Sequence, residues 1–540
     1  MMSFKELFEQ RKYQEILDQI EKEKFRSIPL TEQVDQFYYQ TCSLVKLGYN
    51  EKALEVINQA RKQFVTIQDK IDHLKLLIAN FYALQSLERY EDASVLHLEC
   101  DAIVSSLSDM ECEIGLEWLA LYYNNLGISY FHKSEFMSAL EFYNRSVELY
   151  ERLDEPIDIL RPIFNIGNLS FIIGRVDQSL ELLQRGLVIA EKYDQSWAIS
   201  NMLIMIAWVF MRKGNVDIAL KHAQRAFDLI EKTGAIHELV GVLNCLGWAY
   251  RAKGELDRSL EYLLRGLTLQ EEIGSQIAIG HFLNNIGYVY WLKNDLNKAL
   301  DYHQRSLILR EELKVDMDIV ESLSNLILVS VDQQDYKQAR VYLDQIHKLQ
   351  KLHSEVYYRI HSLYFEALIL KQSGRMKDKA RAQSLFEDII NEEDELLGFK
   401  YEAMIQLCEL LLEEMKSFGD PGALEEAKNL VHQLHSLSRN EPTYFIEILL
   451  LEAKFAIIEG DFQKAFNHFE EAQLITEERK LTHLNLRVQK EQENLKKELD
   501  SWRELFKRNA PLQERLEQAK VAEYILEAKK LASFLQSPSS

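Results

Sequence analysis

The sequence predicts an all-α chain assembled from stacked helix-turn-helix units, and three observations carry that expectation. Asn124–Tyr130, Phe164–Ser170, Ile204–Phe210, Asn244–Tyr250, Asn284–Tyr290 and Ser324–Ser330 follow one another at a constant step of 40 residues. One column of that register is small, Gly127, Gly167, Ala207, Gly247 and Gly287, and breaks at Ile327; a second small column holds Ala139, Ser179, Ala219, Ser259, Ala299 and Ala339. Gly174, Gly214, Gly254 and Asn294, residues that accept the left-handed conformation ending a helix, fall at the turns. A fixed period means one supersecondary unit repeated. The small columns have a packing cause: antiparallel helices approach closely only where no extra methylene stands between them.

In chain order, residues 1–106 read as N-terminal repeats. A partial unit at 3–27 turns at Arg11-Lys12-Tyr13 and continues through Ile16, Ile20 and Phe25. Units at 34–67 and 74–106 follow, with Ala53 and Ala93 in the small column. The step from Ala93 to Ala139 is six residues too long, which places an insertion near 107–115, inside a linker at 107–119. It reads as a longer loop or a helix extension. The regular array is 120–352. Its second helices carry Arg145, Arg185, Arg225, Arg265 and Arg305, with Glu141, Glu181, Glu261 and Asp301 four residues earlier, Lys221 being the exception. Such i,i+4 pairs stabilise a solvated helix face by about 0.2–0.5 kcal/mol each. Residues 353–480 hold divergent repeats, with a turn at Gly374, an irregular stretch from Arg375 to Ala382 and a loop at Gly419–Gly422. In 481–540 the apolar residues Leu481, Leu484, Val488, Leu495, Leu499, Trp502 and Phe506 mark an amphipathic helix interrupted near 491–492. A last helix follows Pro511, over about 512–535. This tail reads as a cap over the open apolar face that every solenoid must cover, or as a short dimerising coiled coil; the cap is the expectation.

Composition narrows the function. The 540 residues include 63 basic and 85 acidic ones, a formal charge of −22, which disfavours nucleic acid and anionic lipid as partners. The basic run Arg375, Lys377, Lys379 and Arg381 reads as a solvated turn. Five scattered cysteines without CxxC spacing suit a reducing, cytoplasmic setting. The first ten residues lack the apolar core of a secretory leader, and the apolar stretch 444–458 is too short and too charged to span a bilayer. Phosphate-binding, zinc-protease and nucleophile-elbow motifs are missing. His432 and His435 share a helix face, but two imidazoles do not make a zinc site. No catalytic residue, cofactor or metal is expected.

The set Tyr123, Leu126-Gly127, Tyr130, Ala139, Tyr143 and Ser146 resembles the tetratricopeptide signature. The 40-residue period is similar to that of the Leu-Gly-Asn-rich repeat adaptors and, more loosely, of kinesin light chain. The resemblance implies a right-handed superhelical solenoid of about ten repeats with C-terminal capping helices. It also implies that the first helix of each repeat lines a concave groove. On that mapping the peptide-binding positions are Asn124, Asn125, Arg161, Asn165, Asn168, Trp208, Arg212, Asn244, Trp248, Arg251, Asn284, Asn285, Tyr288, Trp291 and Asn325. Asparagine amides suit the backbone of an extended chain. Trp and Tyr supply anchors. The arginines suit an acidic segment or a free C-terminus. The column of Asn125, Asn165, Asn285 and Asn325 has a structural alternative, bonding to the neighbouring repeat, and the tryptophans can also pack between units. Phe164 stands where the chaperone-tail clamp needs a lysine. The functional expectation is a non-enzymatic adaptor that holds a segment of a partner protein. The alternative is a peptide-sensing receptor whose superhelix changes shape on binding.

Overall fold

In the computed structural model the described residues are 3–9, 12–23, 29–64, 69–87, 89–133, 135–153, 156–233, 236–353, 355–392, 397–418, 421–438, 442–478 and 482–521. All the regular structure among them is helical. The first helices are α1 (Phe4–Glu9), α2 (Tyr13–Glu23), α3 (Leu30–Lys46), α4 (Asn50–Gln63), α5 (Lys70–Ser86), α6 (Tyr90–Ser105), α7 (Asp109–Ile114), α8 (Leu116–His132) and α9 (Phe136–Leu153). The regular array continues with α10 (Leu160–Ile172), α11 (Val176–Lys192), α12 (Ser196–Arg212), α13 (Val216–Thr233), α14 (Ile236–Ala252), α15 (Leu256–Ile273), α16 (Gln276–Leu292), α17 (Leu296–Leu313), α18 (Asp316–Asp332) and α19 (Tyr336–Leu352). The divergent part holds α20 (Val356–Lys371), α21 (Met376–Ile390), α22 (Leu397–Phe418), α23 (Pro421–Ser438), α24 (Pro442–Glu459), α25 (Phe462–Glu478), α26 (Thr482–Lys507) and α27 (Leu512–Ala519). The chain forms two compact units, Met1–Ile206 and Ala207–Ser540. Within each, consecutive helices pack as antiparallel pairs, and the first helix of one pair packs on that of the next, as α3 does on α5 and α18 on α20.

The small columns are the contact lines of these pairs. A Cβ on Gly247 would stand 2.6 Å from Leu263 Cγ, and one on Gly127 2.5 Å from the Tyr143 ring. The second column closes the contact from the other side: Ser179 Oγ donates to Gly167 O and Ser259 Oγ to Gly247 O, both at 2.7 Å. A third small column faces both its own pair and the next repeat. Within a pair, Ser146 Oγ donates to Ala120 O at 2.8 Å and Ser306 Oγ to Gly280 O at 2.9 Å, while Gly186 makes room for Met202 of the next repeat. At the turns Gly254 has φ +82° and Asn294 φ +60°. There Glu255 N–H reaches Tyr250 O at 2.9 Å, which satisfies a terminal carbonyl. The next turn uses Gln334 at φ +60° in the same role.

Several local expectations change. Residues 109–114 form α7, whose Ser108–Glu111 capping box accounts for its start. Arg145 pairs with Glu141 at 2.7 Å, but Arg185 reaches Glu151 and Arg265 reaches Glu231, at 2.7 and 2.9 Å on the preceding repeat. A long guanidinium spans the gap between successive second helices as easily as one turn of its own. The stretch after Arg375 is regular helix from Met376 onward. No interruption occurs at 491–492, because Glu491 pairs with Lys454 at 3.0 Å and α26 runs through. The tail caps the last pair: Leu484, Val488, Leu495, Trp502 and Leu505 are buried against the core of α24 and α25, and Arg515 Nη1 donates to Ile458 O at 2.7 Å. Phe25, the Gly419-Asp420 dipeptide and the helix expected beyond 521 lie outside the described residues.

Candidate peptide-binding face

Helical spacing places Asn244, Trp248 and Arg251 on one face of α14, and Asn284, Tyr288 and Trp291 on the same face of α16. Trp208, Trp248 and Tyr288 occupy one column of successive first helices; Arg251 and Trp291 occupy the column three residues on. The side chains meet. The Trp208 and Trp248 rings stand 5.6 Å apart edge to face, and Tyr288 and Trp291 stand 5.2 Å apart. The Arg251 guanidinium lies 3.5 Å from the Trp248 ring centroid and 4.7 Å from that of Tyr288. Arg251 is 4 % exposed. Burial pulls its pKa down to about 10, with Tyr288 opposing, so it stays cationic at neutral pH. Trp248 is 8 % exposed, and its Nε1–H is buried without a hydrogen-bond partner among the described residues. Trp291 Nε1 donates to Asp332 Oδ2 at 2.6 Å. Arg212, at the end of α12, is half-buried.

The asparagines form a ladder between neighbouring repeats. Asn285 Nδ2 donates to Asn244 Oδ1 at 3.2 Å, and Asn325 Nδ2 to Asn284 Oδ1 at 3.0 Å. In the first unit Asn165 Nδ2 donates to Asn124 Oδ1 at 2.9 Å. The ladder skips the repeat that carries Ile204 and Met205 in these columns. Asn284 is 3 % exposed and its amide is committed: Nδ2 donates to Glu321 Oε1 at 3.1 Å, and His303 Nδ1 lies 2.9 Å from Oδ1. Burial and Arg310 hold His303 down to about 3. Its neutral ring therefore donates Nδ1–H to the amide oxygen. Asn244 is half-buried, and its Nδ2 donates to no group among the described residues. Asn125 is buried; its carbonyl accepts from Gln85 Nε2 at 3.0 Å. Asn168 is half-buried on α10, and Arg161 is exposed over the Trp197 ring at 5.4 Å.

Sequence reading passed over one group beside this face. Arg310 of α17 is 1 % exposed and ion-pairs with Glu321 at 3.0 Å. It donates to Asp318 O and Ser322 Oγ, each at 2.8 Å, and its Nη2 lies 3.1 Å from His281 Nδ1. His281, Asp318 and Glu321 bring ligand atoms within 4.8 Å of one another. The guanidinium already supplies the positive charge there, so the group fits a structural network better than a metal ion. A signal existed: Gly280 replaces the Ala120, Leu160, Ser200 and Val240 of its column, and Arg310 follows Tyr150, Ala190, Ile230 and Gln270 in its own.

Paired helices whose small columns repeat every 40 residues define a tetratricopeptide solenoid. The profile of the MalT-like TPR region matches residues 202–481, more than half of the chain, and the chain belongs to that family. None of the curated proteins matches it. Among solved structures it is similar to a Rap protein complexed with competence and sporulation factor, at 13% identity and TM-score 0.47, covering 77% of this chain and 99% of that one. The apo quorum sensor NprR from B. thuringiensis is 15% identical, with coverages of 68% and 99% and TM-score 0.44. A STAND signal-transduction ATPase with a tetratricopeptide sensor, from Pyrococcus horikoshii, is 14% identical, with coverages of 82% and 68% and TM-score 0.46. No helix among the described residues is long and apolar enough to cross a membrane.

Proposed function

We propose that the chain is a non-enzymatic adaptor that holds an extended segment of a partner protein along the first helices of its second unit. The observation that carries this reading is the preassembled patch of Trp208, Trp248, Arg251, Tyr288 and Trp291. Its Trp248 Nε1–H is a buried donor with no acceptor among the described residues, a position that costs about 1–3 kcal/mol unless a ligand supplies one. A backbone carbonyl or a carboxylate from the partner fits that donor and the adjacent guanidinium. The aromatic walls exclude water around the contact, as interface anchors do. Asn244 Nδ2 offers a second donor one helical turn away, suited to a peptide carbonyl. Asn284, Asn285 and Asn325 position neighbouring helices in this reading, and Asn284 does not touch the ligand. The test is affinity capture from lysate followed by mass spectrometry, comparing wild type with Arg251→Ala/Trp291→Ala. A partner retained by wild type and lost by the variant supports the reading; equal capture by both removes it.

A further inference from the structure

One repeat of the first unit departs from the array in its core. The step from Ala93 to Ala139 is 46 residues, and the same step back from Leu126 leads to Asn80 of α5. The regular array fills that column with Leu126, Ile166, Ile206, Leu246, Ile286 and Leu326, all of them buried. Asn80 is as deep, at 3 % exposed, yet its Oδ1 has no hydrogen-bond partner among the described residues. An unpaired amide weakens a core where leucine would strengthen it. Departures of that kind are tolerated at functional sites. Asn80 also lines a cleft of about 280 Å³. Its apolar walls are Leu54 of α4, Leu84 of α5, and Val95 and Leu96 of α6. Val95 is exposed, so the cleft opens to solvent. The charged groups in the lining are already neutralised: Arg61 pairs with Glu99 at 2.7 Å and Arg89 with Asp92 at 2.6 Å. Two second helices, α4 and α6, contribute to the lining, which sets the cleft apart from the face built by the first helices.

We infer that this cleft is a binding site for a neutral phenol. The hydroxyl donates to Asn80 Oδ1, the acceptor that the fold leaves without a donor. The ring lies against the leucine walls, where apolar area is at hand. Size permits it: a cavity of about 150 Å³ already takes benzene. Other chemistries fit less well. A bare hydrocarbon ring leaves the amide unpaired. A carboxylate brings no donor for Oδ1. An ammonium would enter among apolar walls where Asp92, the acid of the lining, is already paired. The site is independent of the groove of the second unit, and its residues lie outside the family match at 202–481.

The test titrates the full chain into 4-fluorophenol and, separately, fluorobenzene, and reads binding from the fluorine NMR linewidth. Saturable binding of 4-fluorophenol is expected, with fluorobenzene about tenfold weaker for want of the hydrogen bond. Asn80→Leu installs the residue type of the array column. It is expected to weaken 4-fluorophenol binding by about tenfold or more and to raise the urea midpoint, because the unpaired amide is gone. Competition identifies the source of the phenol: displacement by N-acetyl-tyrosinamide supports a tyrosine side chain of a partner protein, and its failure to displace supports a free phenol. Four results overturn the site: no binding of 4-fluorophenol, equal binding of fluorobenzene, unchanged affinity in Asn80→Leu, or a lowered midpoint in that variant, which would make the amide part of the fold. The comparison of the two ligands on wild type stands even if Asn80→Leu does not fold.

Discussion

Replacing Gly247 by alanine sets two effects of opposite sign against each other. In the interior of α14, alanine is favoured over glycine by about 1 kcal/mol through helix propensity. The new methyl, however, would stand 2.6 Å from both Leu263 Cγ and Cδ2, against a normal carbon–carbon separation of about 3.5–4.0 Å. Leu263 is 1 % exposed and has nowhere to go. The helices cannot part freely either, because Ser259 Oγ is bonded to Gly247 O at 2.7 Å. Overpacking of this kind costs about 1–3 kcal/mol; the clash is with a branch point, so the upper end applies and a net loss of about 2 kcal/mol remains. Gly186→Ala is the control. Its methyl meets the buried Met202 at Cε, 2.6 Å, and Ile163 Cγ2 at 3.2 Å; Met202 is unbranched and flexible, so the expected loss is smaller than for Gly247→Ala. Urea unfolding followed by circular dichroism compares the midpoints of the transition in which α14 and α15 unfold. Gly247→Ala/Leu263→Ala should lose less than the sum of its single variants. A midpoint raised by Gly247→Ala, or lowered equally by Gly186→Ala, would refute the account of the small columns.

Other outcomes follow from the same contacts. Burial holds His303 down to about 3 and His361 to about 4, the latter against its bond to Tyr357 O. Both are neutral when folded and protonate near 6.5 when unfolded. Their contribution is therefore complete above about pH 6.5 and is lost as pH falls towards those values, by up to about 1.4 kcal/mol per group per pH unit. His303→Gln should flatten that slope in urea titrations between pH 4 and 7; an unchanged slope contradicts it. Arg487→Ala removes the guanidinium that pairs with the buried Glu447 carboxylate at 2.9 Å and should destabilise the capped end by about 3 kcal/mol. Protease nicking within α26 measures it, and unaltered resistance speaks against the pairing. Burial pushes Cys42, Cys100 and Cys245 up to about 12, so at pH 8 a thiol reagent should modify Cys112 well before these three. Mass spectrometry of the labelled native protein decides.

The columns Gly127 to Gly287 and Ala139 to Ala339 were legible in the sequence because close helix packing excludes large side chains one position at a time. The turn residues were legible because their backbone angle is rare for other residue types. The partners of long or polar side chains were not. Arg185 and Arg265 have an acid both one helical turn back and on the preceding repeat, and sequence spacing cannot rank the two. The asparagine columns were visible, but whether each amide faces a neighbour or a ligand depends on a rotation between helices that no local pattern encodes. Arg310 stayed hidden because a buried cation is recognised only with its partners, which come from α16 and α18.

The most direct test of the groove is selection of linear peptides from a random display library against the folded chain, followed by affinity measurements on Trp248→Phe. That change leaves an aromatic ring at the position and removes the buried Nε1–H together with the five-membered part of the indole. The account predicts that enriched peptides carry an acidic residue and lose about tenfold in affinity, the equivalent of one hydrogen bond at roughly 1–1.5 kcal/mol. Peptides that bind wild type and Trp248→Phe equally well would contradict it.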